Sequence, residues 1–221
     1  MALINAYNGK NTSGGNTLVD MVDANNGIFG GASLPVVNAN GYIQFTGGHG
    51  NTAGDWGRIT FGTNFSQTAG DNFSTVVVWK SKKVDTTLHS LFWGMYQSVS
   101  SGGYYGHFIL DTEVLRTYIK ATATLNFAVN SIKRISKWNI STIANSQTAR
   151  LIAHDSVITT DATDNSNNLF DATSMTTIGA SKSGASWNYD ATMDFHSLLR
   201  FNYKLSNAEI SQYNNALAGV I

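Results

Sequence analysis

The sequence holds no cysteine, one proline and only two glutamates, Glu113 and Glu209, and its charged residues make up 13% with a formal net charge of zero. Each shortage excludes something. Without cysteine, neither a disulfide framework nor a thiolate metal centre can form, so stability has to come from a packed core. Sparse, balanced charge removes the electrostatic attraction behind most nucleic-acid affinity and behind docking on anionic bilayers, so no nucleic acid and no membrane is expected as partner. No apolar run approaches the ~20 residues of a membrane-spanning helix. The first residues, MALINAYNGK, lack a basic stretch followed by an apolar one, which predicts synthesis in the cytoplasm without a secretory signal.

The scarcity of glutamate bears on catalysis. Retaining glycoside hydrolysis needs an acid and a nucleophile about 5 Å apart on one face. Glu209 falls in a helix-capping pattern, which leaves Glu113 with Asp111 as its i−2 neighbour in LDTEVL, and an exposed pair beside a turn is the plainer reading. The histidines at 49, 89, 107, 154 and 196 show no zinc spacing, and no nucleophile elbow, phosphate loop or dinucleotide fingerprint occurs. No catalytic and no metal-binding residues are assigned, and the chain is not expected to be an enzyme.

What is present is Asn, Ser, Thr and Gly between short apolar pieces. GYIQFTGG, RITFG, NFSTVVVWKSK, LHSLFWGMYQ, YYGHFILDTEVLRTYIK, KWNISTIANSQTARLIAHDSVITT, MTTIGASKSG and TMDFHSLLRFNYK read as strands recurring about every ten residues, the spacing of an all-β sandwich. With no linker, repeat or charge run, residues 1–221 are expected to form one domain. The exception to the strands is KLSNAEISQYNNALAG. Ser206 and Glu209 form a capping box, Leu205 and Ile210 a hydrophobic staple, Ile210, Tyr213 and Leu217 one apolar face, and Gly219 a left-handed C-cap, predicting a helix over 206–217. A helix of three turns is unstable alone and must dock on the sandwich.

The order of GYIQFTGG, FSTVVVWKSK, SLFWGM, the KWNI to VITT pair, and TTIGASKSG followed by FHSLLRFNYKLSNAEI resembles the concanavalin A-like jelly rolls of the laminin-G-like kind. The resemblance implies an all-β, concanavalin A-like jelly-roll sandwich of two antiparallel sheets with a short C-terminal helix, and frequent use as a sugar or surface binder. Many relatives hold one Ca2+ with Asp side chains and carbonyls. The oxygen-rich stretches DATDNSNN and NYDATMD could supply such ligands, but neither has the spacing of a recognised loop and Ser197 stands where relatives often place an acid. Turn chemistry is the plainer reading of both, and no cofactor is assigned.

Aromatics in polar loops are the binding clue, since sugars stack their apolar faces on Trp or Tyr while amides and carboxylates read the hydroxyls. HGNTAGDWGR offers Asp55 and Trp56, SSGGYYGH offers Tyr104 and Tyr105, and SGASWNYD offers Trp187, Asn188, Tyr189 and Asp190, provided these loops converge. Trp79, Trp93 and Trp138 lie in strand-like apolar contexts and are expected in the core. The leading expectation is a non-catalytic carbohydrate-binding or adhesion module on a phage virion surface, as decoration, fibre or tail component. Its partners would be glycans or other virion proteins, with a homo-oligomer compatible. The alternatives are a purely structural capsid or fibre subunit and a glycoside hydrolase of the same fold.

Overall fold

The structure is a computed structural model that describes residues 1–50, 55–61, 72–82, 90–95, 104–109, 114–120, 126–132, 137–146, 149–155, 157–161, 176–183, 186–188 and 190–221. Its elements are almost all strands: β1 (Leu3–Asn8), β2 (Thr12–Ser13), β3 (Thr17–Leu18), β4 (Gly27–Gly30), β5 (Val36–Val37), β6 (Ile43–Gly50), β7 (Arg58–Thr60), β8 (Phe73–Ser81), β9 (Ser90–Met95) and β10 (Tyr104–Ile109). There follow β11 (Val114–Lys120), β12 (Asn126–Ile132), β13 (Asn139–Asn145), β14 (Arg150–His154), β15 (Val157–Asp161), β16 (Thr176–Ile178), β17 (Ser181–Ser183), β18 (Ser186–Asn188) and β19 (Asp190–Phe201), closed by helix α1 (Asn207–Ala218).

Two antiparallel sheets form the β-sandwich expected from the sequence. The first runs β15-β14-β13-β8-β19-β6-β5, with β1 also beside β19, and the second runs β12-β11-β10-β9-β16-β7-β4-β3-β2. β17 and β18 make a separate hairpin. β12 and the pairing of β1 with β19 were not legible in the sequence. β19 is long enough to hold β6 along its first half and β1 along its second, against β8 on the other side.

Alternation along β8 sends side chains to both faces of the first sheet, and both are covered. Val77 and Trp79 join Tyr7, Phe45, Phe61, Met193 and Phe195 in the core between the sheets. Val76 and Val78 join Ile140, Phe201, Leu205 and Ile210 in a second core under the helix. The run STVVVW therefore has no polar alternation because neither face meets water. Gly31 and Gly179 have positive φ, of +103° and +93°. A Cβ at the first would strike the Trp56 carbonyl, and at the second the Phe45 ring, so both turns require glycine.

The helix begins as predicted. Ser206 Oγ accepts the Glu209 N–H at 3.3 Å, and Glu209 Oε2 accepts the Ser206 N–H at 2.8 Å. The Ser206 N–H, together with the Ser206 and Tyr203 hydroxyls that also donate to this carboxylate, holds the Glu209 pKa below its usual value. Leu205 and Ile210 are both buried in the outer core, as a staple requires. The C-terminus departs from expectation: Gly219 is right-handed, with φ −80° and ψ −9°, and its N–H bonds back to Leu217. The last turn is thus wound on in the same hand, with no left-handed residue needed.

Buried polar groups tie the amino terminus to β19. Asp20 accepts from Asn5 Nδ2 at 2.5 Å, the Ala6 N–H at 3.0 Å and the Val22 N–H at 3.1 Å, while Arg200 Nη1 donates to Asn5 Oδ1 at 2.8 Å. A buried carboxylate and guanidinium are bridged by one amide, which offsets the desolvation of both. Burial beside Asp20 pushes the Tyr7 hydroxyl well above its ordinary pKa, so it donates, to the Asn25 carbonyl at 2.6 Å.

Candidate functional site

Strand register locates the residues nominated from sequence. Ile59 pairs with Ile178 and Arg58 with Gly30, so Asp55 and Trp56 enter the second sheet at the end where β16 leaves for the β17–β18 hairpin. In that hairpin Trp187 faces Lys182 and Asn188 faces Ser181. Asp190 opens β19 opposite Gly50. Asp55, Trp56, Trp187, Asn188 and Asp190 therefore belong to one end of the sandwich. Tyr104 and Tyr105 do not join them. They open β10, where Tyr105 pairs with Met95 and Met95 with Thr176, at the opposite end of that sheet.

Several of these residues are also in strands where loops were expected: Tyr104 and Tyr105 in β10, and Trp187 and Asn188 in β18. Tyr189, Asp111 and Glu113 lie outside the described residues. Asp55 is engaged: its Oδ1 accepts from Arg58 Nη1 at 2.6 Å, and the same Nη1 reaches the Trp56 carbonyl at 3.0 Å. Trp56 itself is half-buried.

A second arrangement, missed at the sequence level, occupies the outer face of the first sheet beside the helix. Trp138 was expected in the core but is only partly buried. Its ring meets Tyr42 and His196, each with centroids 5.6 Å apart in edge-to-face geometry. Lys80 Nζ lies 4.8 Å from the Trp138 ring centre and 5.2 Å from that of Tyr42, within cation–π range. Lys80 is held there by Asp194, whose side chain is 1% exposed and whose two oxygens take Lys80 at 3.0 Å and Lys82 at 2.7 Å. Both lysine side chains remain partly exposed, and with two of them on one carboxylate the cluster carries one net positive charge. Asp194 belongs to NYDATMD, one of the stretches weighed for calcium, and in this arrangement its oxygens are engaged by lysines. Burial, with the charge of Lys10 adding to it, lowers the His196 pKa and favours the neutral imidazole.

The strand pattern explains the grouping. Asn139 pairs with Trp79, Trp79 with Phe195, and Lys80 with Asp194, so Trp138, the residue just before β13, continues the row of Lys80 and Asp194 on the face opposite Trp79 and Phe195. Trp138 also lines a cleft of about 270 Å³ that runs to the last turns of α1, past Ile140, Asp155, Asn214, Asn215 and Ala218. Asp155 sits there with φ +51° at the β14–β15 turn, and its Oδ1 accepts the Ile140 N–H at 3.0 Å. Among the described residues no group of three or more His, Cys, Asp or Glu is placed to hold a metal ion.

Neither a protein-family model nor a curated relative matches the sequence. Solved structures do match in fold. A Trypanosoma rangeli sialidase in complex with sialic acid superposes with a TM-score of 0.73 at 13% identity, over 99% of this chain and 33% of the sialidase chain. The binding domain of botulinum neurotoxin DC in complex with SialylT gives a TM-score of 0.69 at 15% identity, over 97% of this chain and 51% of that one. The same binding domain in complex with rat synaptotagmin II gives 0.69 at 16%, with the same coverage. This chain thus spans about a third of the sialidase and about half of the neurotoxin chain, and what it shares with them is the β-sandwich fold.

Proposed function

We propose that the chain is a non-catalytic module that binds glycans, and that the aromatic cluster around Trp138 on the outer face of the first sheet is where it does so. The observation that carries this reading is the cluster's construction. Three rings meet at a surface, half open to solvent, and a lysine whose own position is set by a buried carboxylate lies over two of them, Trp138 and Tyr42. Such a platform offers an apolar face for a sugar ring, with hydrogen-bonding groups around it, and loses little entropy on binding because it is already assembled. The fold supports the reading: of the proteins that share it, one was solved with sialic acid and another with SialylT. The end of the sandwich carrying Asp55, Trp56, Trp187, Asn188 and Asp190 is proposed as a further glycan contact.

A glycan array probed with the whole chain tests this. Binding to a defined set of glycans that falls at least about tenfold in Trp138→Ala, with the fold intact by circular dichroism, supports the platform. Binding that survives in Trp138→Ala and is lost in Trp56→Ala moves the site to the sandwich end. No binding anywhere on the array removes the glycan reading.

A second reading has its own observation. Leu34 and Val36 stand 52% and 57% exposed at the β5 edge of the first sheet, where further apolar contact could bury them. This favours a structural subunit that associates with copies of itself or with other proteins, and light scattering that detects only monomers at high concentration would count against the self-associating form. The virion setting is proposed from composition alone, and mass spectrometry of purified particles tests it.

A further inference from the structure

We infer that the cleft between Trp138 and the last turns of α1 seats a single neutral, hydroxyl-rich sugar ring and discriminates against sugars that carry a carboxylate. The inference rests on the glycan reading above and names the ligand class for the same site. Its starting point is Asn214, which is only 7% exposed and lines the cleft. Its Nδ2 donates to the Asp155 carbonyl, which fixes the amide's orientation, and its Oδ1 is buried with no hydrogen-bond partner. An acceptor in that condition is costly; the atom has no exposed surface, so a ligand donor removes that cost when the Asn214 side chain shifts toward the cleft.

The rest of the lining points the same way. Among the described lining residues Asp155 is the only ionisable side chain, and it is an anion. Its Oδ1 is taken by the Ile140 N–H, and its Oδ2 lies 3.8 Å from His154 Nε2. With the side chain 27% exposed, a ligand hydroxyl can approach this carboxylate but a ligand carboxylate is repelled. Asn214 and Asp155 both call for donors, which vicinal hydroxyls supply. Trp138, Ile140 and Ala218 provide the apolar wall that a pyranose face needs. Lys80 and Lys82, which share Asp194 at 3.0 and 2.7 Å, do not line the cleft, so the charge that a seated ligand meets first is that of Asp155. At about 270 Å³ the cleft falls below the ~300–1,000 Å³ of sites for drug-sized ligands, so it has room for one ring and not for a chain of them.

Saturation-transfer NMR on the full chain tests this with four probes: methyl glucoside, methyl galactoside, N-acetylglucosamine and N-acetylneuraminic acid. At least one neutral probe is expected to give transfer and N-acetylneuraminic acid none. Asn214→Leu removes the unpartnered acceptor at similar size, and with it the donor to the Asp155 carbonyl, so it should weaken the neutral probe about tenfold or more in a chain that still folds by circular dichroism. Asp155→Asn keeps an acceptor and tolerates the positive φ, so it should retain the neutral probe and gain N-acetylneuraminic acid. The inference is overturned if N-acetylneuraminic acid is the preferred probe of the unmodified chain, or if neutral binding is unchanged in Asn214→Leu. A positive glycan array accompanied by either result sinks the ligand class alone, whereas an empty array sinks the glycan reading with it.

Discussion

Trp79 on β8 and Trp138, the residue just before the neighbouring β13, are a single residue apart in register and lead opposite lives. Trp79 points inward and is fully buried, with its indole N–H donating to Ser141 Oγ at 2.9 Å, which in turn lies 3.4 Å from His154 Nδ1. Trp138 points outward, stays half open and finds rings and an ammonium group as neighbours. The difference lies in what covers each face. A whole second sheet closes the inner face, so every polar atom there needs an internal partner. A helix of 12 residues closes the outer face, and it is too short to reach across the sheet. The strip it leaves bare is where a row of large and charged side chains remains available to a ligand.

The comparison is most directly broken by removing each indole. Trp79→Ala is expected to destabilise by about 3–5 kcal/mol, the cost of a large buried cavity, with Ser141 also losing its donor. Trp138→Ala should cost less than half of that, since solvent refills much of its place. Denaturant melts of the two variants check the ranking, and equal losses would mean that the outer face is as closed as the core.

Next in size is the helix as cover. Leu205 and Ile210 are fully buried in the outer core, so Ile210→Ala should cost about 2–4 kcal/mol. Leu217 is only partly buried in the same cluster and should cost less than Ile210. Ser206→Ala should cost on the order of 1 kcal/mol through the lost cap. Melts in which all three variants match the unmodified chain would show that the helix does not seal the outer face.

That helix was legible to within one residue because its signals are local: a cap, a staple and a period, all inside 14 residues. The buried β8 was legible for the same reason. Trp138 was not. KWNI and VVWK offer the same alternation, and a period of two tells which residues share a face without telling which face is covered. Here the cover of one face arrives with a helix that begins nearly seventy residues after Trp138. The convergence of loops failed in part for a related reason, since Tyr104 and Tyr105 are set by the register of β10 on β9, a pairing no local pattern encodes. Asn214 was invisible as a site residue because a buried asparagine in an amphipathic helix reads as part of the polar face.

The smallest expected effect concerns pH and separates the faces by chemistry. His196, under Trp138, has its pKa lowered, chiefly by burial and further by Lys10. Between its folded and unfolded pKa values the unfolded chain binds the additional proton, so stability should rise with pH through that window. The group's contribution is therefore complete above about pH 6.5, the usual histidine value, and is lost as pH falls toward the lower folded value. Protonation would also set an imidazolium against the charge of Lys10 and at the edge of the Trp138 ring, so the platform should loosen in the same range. His196→Gln should flatten the slope of stability against pH just below about 6.5 while leaving the steeper acid loss at lower pH, to which Glu209 contributes because its folded pKa is also lowered. Thermal melts across this range read the slope directly. A slope that is unchanged in His196→Gln would show that the imidazole is solvated as in the unfolded chain, and that the outer face is open farther inward than the rings around Trp138 imply.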